Sequence, residues 1–229
     1  MRKSWIIWLI MTVLMILYVW AGSVASRTEK VGIKLEPGYS TQVRMFRLYE
    51  DRLRMRLIFH GDDNSRRPEL GTWSTRSDWR ETGTLKFDNP GTAIRISASV
   101  PGIAPVTYES MPTSAHGSGE LVRNLTANLS IAPGVWRWPP ARSELVLHRG
   151  TNAVNIEVVS VELPLVGEAV ELWVDPSLGF KVTMLNVGWL WLSFLWPILF
   201  AIQVVWVVAL GLSTWRIRRR NRQEAVRDI

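Results

Sequence analysis

The sequence predicts a membrane-anchored all-β protein, in which an antiparallel β-sandwich of jelly-roll or immunoglobulin-like type lies between two transmembrane α-helices. Three observations favour this fold class in a chain of 229 residues. Two segments without a charged residue are long enough to cross a bilayer. The region between them alternates apolar and polar residues with period two, as half-buried strands do. That region shows neither a long amphipathic helical pattern nor an alternation of strands and helices.

The first apolar segment is predicted as a transmembrane helix over residues 5–24, after a cytoplasmic N-terminus of residues 1–4. A hydrocarbon core is spanned by roughly 20 apolar residues, and residues 5–21 contain no charged side chain. Tryptophans lie at both ends of the run, as in the aromatic belts of membrane proteins. A cleaved signal peptide is the competing interpretation, because small residues follow the run. We favour an uncleaved anchor, since the run is long for a signal peptide.

The second apolar segment is predicted as a transmembrane helix over residues 187–212, followed by a basic cytoplasmic tail of residues 213–229. The segment holds no charged residue, so nothing in it suggests an ion path or a proton relay. Ser193 and Gln203 are polar, and we expect them to form hydrogen bonds with a partner helix. The alternative is that a very apolar helix simply tolerates them. Pro197 removes one backbone hydrogen bond there and favours a kink.

Basic residues flank the two apolar segments on the sides nearest the chain termini, and they predict the topology. Arg2 and Lys3 precede the first segment, and an arginine run follows the second. The arginines of this run are Arg216, Arg218, Arg219, Arg220 and Arg222. The positive-inside rule places both groups in the cytoplasm, where they can also bind anionic lipid headgroups. Residues 22–212 carry 19 basic and 18 acidic side chains, so no basic surface for nucleic acid is expected.

This topology predicts that the central domain lies outside the cytoplasm. Arginine is much more frequent than lysine and cysteine is absent, which favours a bacterial inner-membrane protein with a periplasmic domain. Matches to the N-glycosylation pattern at Asn124 and Asn128 leave a eukaryotic lumen as the alternative location.

Residues 25–181 are predicted to form the β-sandwich domain. Residues 51–59 place leucine and methionine on one face and arginine on the other, as expected of a half-buried strand. Residues 152–161 are rich in β-branched side chains, which favour strands. Clusters of glycine, proline, asparagine and aspartate separate such runs. The strand–turn–strand pattern of residues 145–158 is shared by many sandwich families and identifies none of them.

No cluster of residues in the sequence points to catalysis, a cofactor or a metal. The chain has no cysteine and three histidines, and none of the histidines is spaced for a zinc site. Nucleophile-elbow and phosphate-binding motifs are missing. Asp62, Asp63 and Asn64 offer oxygen ligands but lack the EF-hand spacing, so a solvated turn is favoured. We therefore expect a protein that is not an enzyme and carries no cofactor.

Tryptophans of the central domain are the candidates for an interaction surface. Trp136, Arg137 and Trp138 follow one another, and in an extended chain the two indoles lie on the same face. Trp73 and Trp79 lie in a second polar stretch. Exposed indoles beside arginine suit a protein contact, or stacking on sugar rings. The alternative is that these indoles fill the ends of the domain or rest on the lipid surface.

From these features we expect a non-enzymatic accessory protein of the inner membrane. Its β-sandwich would contact a protein partner, or further copies of the chain, in an envelope assembly. The alternative function is a membrane-tethered module that recognises a glycan or envelope polymer through exposed tryptophans. An enzyme or a transporter component ranks third, because the sequence shows no catalytic cluster and no charged residue within either apolar segment.

Overall fold

The computed structural model describes residues 2–60, 67–75, 79–115, 120–139, 144–179 and 188–227. The chain divides into two compact units. Arg27–Ser177 form one, here called the β unit, and Met1–Ser26 together with Leu178–Ile229 form the other, here called the helical unit.

The helices differ greatly in length. The α-helices are α1 Arg2–Ala25, α2 Trp79–Thr82 and α3 Trp196–Arg227, and 3-10 helices span Pro68–Leu70 and Gly188–Leu195. The strands are β1 Glu29–Lys34, β2 Ser40–Arg47, β3 Asp51–Arg52, β4 Met55–Phe59, β5 Thr72–Thr75, β6 Thr84–Asn89, β7 Ile94–Ser99, β8 Val106–Ser110, β9 Ser114–Ala115, β10 Leu121–Thr126, β11 Val135–Arg137, β12 Val146–Leu147, β13 Gly150–Val161 and β14 Ala169–Val174.

The main sheet of the β unit is a nearly closed, barrel-like antiparallel sheet. Its strands follow the order β1-β14-β4-β10-β8-β7-β13-β2, and β9 pairs with β10 beside this path. The β10–β8 pairing is short, with only Leu125 opposite Ser110 and Thr126 opposite Glu109. The predicted antiparallel β core is therefore confirmed. A sandwich of two separate sheets is not confirmed, because this short pairing joins the strands into one hydrogen-bonded path.

Alternation along the strands places the core inside the main sheet. On β4, Met55, Leu57 and Phe59 are buried, and Arg56 between them is only partly covered. The strand predicted over residues 51–59 is divided into β3 and β4, because the Leu53 amide donates instead to the Leu145 carbonyl at 2.7 Å.

A second, smaller core lies beside a three-stranded sheet with the order β11-β6-β5. Leu85, Phe87, Met111 and Trp136 form this core, and Trp138 packs against it. A third pairing joins β12 to β3. The small sheet positions most of the tryptophans that the sequence singled out.

Within the described part of the chain, two helices are long and apolar enough to cross a membrane, over Lys3–Ala25 and Trp189–Arg220. The second begins as the 3-10 helix and becomes α-helical at Trp196. Pro197 is thus the second residue of α3, in the first α-helical turn, where proline is well tolerated. It lies inside the apolar span, as the sequence predicted, at the point where the 3-10 helix changes to the α-helix.

Candidate functional site

Helices α1 and α3 bring their polar side chains together within the helical unit. Thr12 Oγ1 donates to Gln203 Oε1 at 3.2 Å, and Trp8 Nε1 donates to the Gln203 carbonyl at 3.4 Å. Trp5 Nε1 donates to Thr214 Oγ1 at 3.3 Å. The partner helix predicted for Gln203 is thus α1 of the same chain.

Close approach of small residues joins α1 to the 3-10 helix that precedes α3. A Cβ added at Gly22 would lie 1.8 Å from Ser193 Oγ, so this position accepts only glycine without a shift of the neighbouring helix. Ser193 is buried there. Ser193, the second polar residue predicted to contact a helix, therefore also packs inside the helical unit. Tyr18 donates a hydrogen bond to the Trp189 carbonyl nearby, and the two rings stack with centroids 5.5 Å apart.

These contacts make the helical unit an antiparallel pair with two different ends. Trp5 beside Thr214 defines one end. At the other end the Leu178 amide donates to the Ala25 carbonyl at 2.9 Å. The basic residues at both ends of the sequence therefore belong to the first of these two ends.

Lys3 and most of the arginine run are exposed. The exposed arginines are Arg216, Arg218, Arg219 and Arg220. Arg219 lies over the Trp215 ring, with 5.6 Å between the guanidinium carbon and the ring centroid. Arg2 and Arg222 belong to α1 and α3, and their side chains lie outside the described part of the structure.

An aromatic ladder crosses one face of the small sheet. The Trp73 and Phe87 rings meet edge-to-face with centroids 5.0 Å apart, and Phe87 meets Trp136 in the same way at 5.3 Å. Edge-to-face contacts of this kind stabilise aromatic pairs beyond simple burial. Trp136 lies at the closed end of the ladder, only 2% exposed, whereas Trp73 lies at the open end, 47% exposed.

The ladder divides the predicted tryptophan surface into core and surface residues. Trp136 belongs to the core of the small sheet, Trp138 is half-buried against the same core, and Arg137 between them is exposed. Trp79 begins α2, and its side chain is not among those the structure describes. The exposed set around the small sheet, here called the small-sheet surface, comprises Trp73, Leu129, Ile131 and Arg137.

Arg123 is a fully buried cation that sequence reasoning did not single out. Its guanidinium donates to four backbone carbonyls: those of Thr92 at 2.7 Å, Met111 at 2.9 Å, Pro90 at 3.3 Å and Ser110 at 3.5 Å. Burial lowers the pKa of Arg123 to about 10, against the opposing effect of the Glu109 carboxylate. The group therefore stays charged at neutral pH and joins two segments of backbone, residues 90–92 and 110–111, to β10.

The alternation of β10 carried a signal for this residue. Arg123 lies between Leu121 and Leu125 at the positions that point inward, where period two predicts an apolar side chain. Beside it, Glu109 is also buried and accepts from the Ser130 hydroxyl at 2.6 Å and from Arg95 Nε at 3.3 Å.

A cluster of charged groups, of which Arg47 and Asp51 are buried, lies where the chain leaves the β unit. Arg47 Nη2 donates to the Asp175 carbonyl at 2.9 Å, and Arg56 lies 2.8 Å from the Asp175 carboxylate. Arg54 is 3.9 Å from Asp51. Burial raises the pKa of both Asp51 and Asp175, although the nearby arginines act in the opposite direction. Burial thus removes hydrating water from the carboxylates of this cluster and disfavours their charged form.

Metal ligands are not gathered in the described part of the chain. Among those residues no group of three or more His, Asp or Glu side chains is close enough to hold a metal ion. Asp62, Asp63 and Asn64 lie outside the described residues.

Comparisons with known proteins give little information on identity. No family model matches the chain, and no curated protein matches it. Among solved structures, the chain is similar to the crystal structure of a protein from Sulfurospirillum deleyianum, with 15% sequence identity and a TM-score of 0.40. This similarity covers 66% of this chain and 97% of that chain. A likeness at this level supports no conclusion about fold or activity.

Proposed function

We propose that this protein is a non-enzymatic accessory protein of the bacterial inner membrane, whose β unit contacts an envelope protein in the periplasm. The observation that carries the proposal is the surface of the helical unit. Polar side chains of α1 and α3 pair with each other, while large apolar side chains such as Ile6, Leu17 and Phe200 remain about half exposed. An apolar surface of this extent is stable only in lipid or under a partner.

The placement of charge supports the orientation. Both basic groups lie at the end marked by Trp5 and Thr214, and the chain continues to the β unit from the end marked by Ala25 and Leu178. By the positive-inside rule the basic end faces the cytoplasm and the opposite end faces the periplasm.

The natural lack of cysteine allows a direct test of this topology. A single cysteine is introduced by Thr151→Cys in the β unit or by Gln223→Cys in the tail, both at exposed positions. A membrane-impermeant maleimide added to intact spheroplasts is expected to label the first variant only. Labelling of the tail variant before lysis, or protection of the β-unit variant, would contradict the orientation.

The small-sheet surface supports the contact with a protein. The Trp73 ring packs edge-to-face on Phe87 yet is half exposed, and Arg137 is exposed on β11, which β6 separates from the strand of Trp73. Tryptophan and arginine are the residues most enriched in interface hot spots. Leu129 and Ile131 add exposed apolar area on the hairpin that leads into β11.

Photo-crosslinking in membranes tests this contact. A photoreactive amino acid replaces Arg137, and a matched variant carries it at Thr151, which is also exposed. We expect one defined protein adduct from position 137, its loss when Trp73→Ala is added, and none from position 151. Only uncrosslinked monomer from both positions, or an adduct unaffected by Trp73→Ala, would contradict the proposal.

Recognition of a glycan is the second candidate function. Because Trp136 is buried, Trp73 and part of Trp138 remain for stacking on sugar rings among the predicted tryptophans whose side chains are described. The observation that favours this function lies elsewhere, in a polar groove on the outer face of the main sheet.

A further inference from the structure

We propose that the outer face of β2, β13 and β7 is a binding site for a neutral linear oligosaccharide. The proposal deepens the second candidate function and does not depend on the small-sheet surface. A groove of about 740 Å³ lies on this face. Its volume falls within the range of about 300–1,000 Å³ that is usual for small-molecule sites.

Strand register builds the floor of the groove. Outward-pointing side chains of the three strands stand opposite one another in two rows of three. One row is Ser40, Glu157 and Ser97, and the other is Gln42, Asn155 and Ser99. Neighbouring strands lie about 4.8 Å apart, so each row is a close-spaced line of polar groups across the sheet.

These groups form a balanced set of hydrogen-bond donors and acceptors. Gln42 Nε2 donates to Asn155 Oδ1 at 3.0 Å, which fixes the two amides side by side. Asn155 Nδ2 then remains as a donor and Gln42 Oε1 as an acceptor for a ligand. Serine hydroxyls donate and accept, and the Glu157 carboxylate accepts. A hydroxyl-rich ligand matches this set, because each sugar hydroxyl also donates and accepts.

Charge separates the lining of this groove from other polar surfaces of the β unit. Glu157 is the only ionisable side chain among the described residues that line the groove. The outer face of β1 and β4, by contrast, carries Lys30, Lys34 and Arg56. A groove with a single carboxylate and no cation selects against phosphates, nucleic acids and acidic polymers.

An apolar wall completes the groove. The segment after β7 contributes Val100, Pro101, Ile103 and Pro105 to the lining. Prolines hold such a wall with little loss of conformational entropy. Sites for small molecules combine apolar walls with a few fixed polar groups, and here the wall suits the C–H face of a sugar ring.

Calorimetric titration of the full chain in lipid nanodiscs tests the proposal. Detergents with sugar headgroups are avoided, because they would compete for the groove. The probes are chitotriose, cellotriose and maltotriose. At least one is expected to bind the wild-type chain, and Asn155→Ala and Glu157→Gln are each expected to weaken that binding about tenfold or more, as the loss of a hydrogen bond to a ligand does.

Matched controls come from the same strands. Arg44 and Thr151 also point outward from β2 and β13 but lie outside the groove, so Arg44→Ala and Thr151→Ala are expected to leave the affinity unchanged. Unchanged circular dichroism of every variant confirms folding. Failure of all three trisaccharides to bind, or equal losses in groove and control variants, would overturn the proposal.

The two functional proposals fail separately. Trp73→Ala is expected to leave the trisaccharide titration unchanged, and Asn155→Ala is expected to leave the crosslink from position 137 unchanged. A groove variant that removes both the titration and the crosslink overturns the assignment of a distinct sugar site.

Discussion

In the helical unit the polar side chains that lie between helices are neutral, whereas the described part of the β unit buries two arginines and two carboxylates, Arg47, Arg123, Asp51 and Glu109. Thr12 Oγ1 lies 3.2 Å from Gln203 Oε1 across α1 and α3 and also 2.8 Å from the Trp8 carbonyl of its own helix. Arg123 is instead satisfied by backbone carbonyls of loops and strand ends. The difference follows from what each unit can offer. A helix carbonyl already accepts one bond within its own helix and takes a side-chain donor only as a second partner, as Gln203 does from Trp8, whereas loop carbonyls have no such intrahelical partner.

Removing the buried cation is expected to give the largest effect. Arg123→Met leaves carbonyls of two segments without their donor, and we expect a loss of about 3–5 kcal/mol in the free energy of unfolding. Chemical denaturation of the full chain in nanodiscs, followed by tryptophan fluorescence, measures it. Arg95→Met is the matched control, because the Arg95 side chain is 45% exposed and loses only one ion pair. Equal stability of the two variants would mean that Arg123 is not the link between these segments.

Overpacking the contact between α1 and the 3-10 helix that precedes α3 is expected to give the next largest effect. Gly22→Val inserts a side chain where Ser193 Oγ already lies, and overpacking of this kind costs about 1–3 kcal/mol. A cysteine pair introduced at Tyr18 and Trp189 reports the contact through its rate of disulfide formation, which is expected to fall. Gly211→Val is the control, since a Cβ there meets no other atom within 4 Å. An unchanged rate in Gly22→Val would mean that α1 and the 3-10 helix do not pack at this glycine.

The pH dependence of the stability of the β unit tests the effect of its buried carboxylates. The folded-state pKa of Asp51 lies above its unfolded value, because burial disfavours the carboxylate. Its contribution to stability is therefore complete below the unfolded pKa and is lost as pH rises through the folded pKa. The stability of the wild-type chain relative to Asp51→Asn is expected to decrease as pH rises above about 4, the unfolded pKa of aspartate. A difference that stays constant or increases with pH would contradict this sign.

The neutral pair between the helices is expected to give the smallest effect. Side-chain hydrogen bonds between membrane helices contribute about 0.6 kcal/mol on average. A double-mutant cycle of Thr12→Val and Gln203→Leu, measured by the disulfide assay, is expected to give a coupling of this order. A coupling several times larger would place this pair among the main determinants of helix association.

Patterns that depend on one segment alone could be predicted from the sequence. The length and lack of charge of the two apolar segments predicted the two long helices, and period two predicted the antiparallel β core. The division of residues 51–59 could not be predicted, because the Leu53 amide is taken by Leu145, nearly a hundred residues along the chain.

The tryptophans show the same limit. In both the sequence and the structure Trp136 and Trp138 share a face, yet the face becomes a core only because Leu85, Phe87 and Met111 lie against it. Gln203 likewise gives no sign in the sequence that its partner is Thr12 of the same chain. A sequence can show that a residue will make a polar or an apolar contact, but which residue it contacts depends on distant parts of the chain.

The pairing of β1 with β14 has a consequence for biosynthesis. Glu29 lies opposite Val174, so the first strand of the β unit completes its pairing only with the last. Strand β1 therefore lacks its partner β14 while the ribosome adds more than a hundred residues. Long-range pairing of this kind is slow and leaves strand edges open to aggregation during folding. We expect a chain shortened before β14 to be a substrate of chaperones and proteases even though most of its strands have already been made.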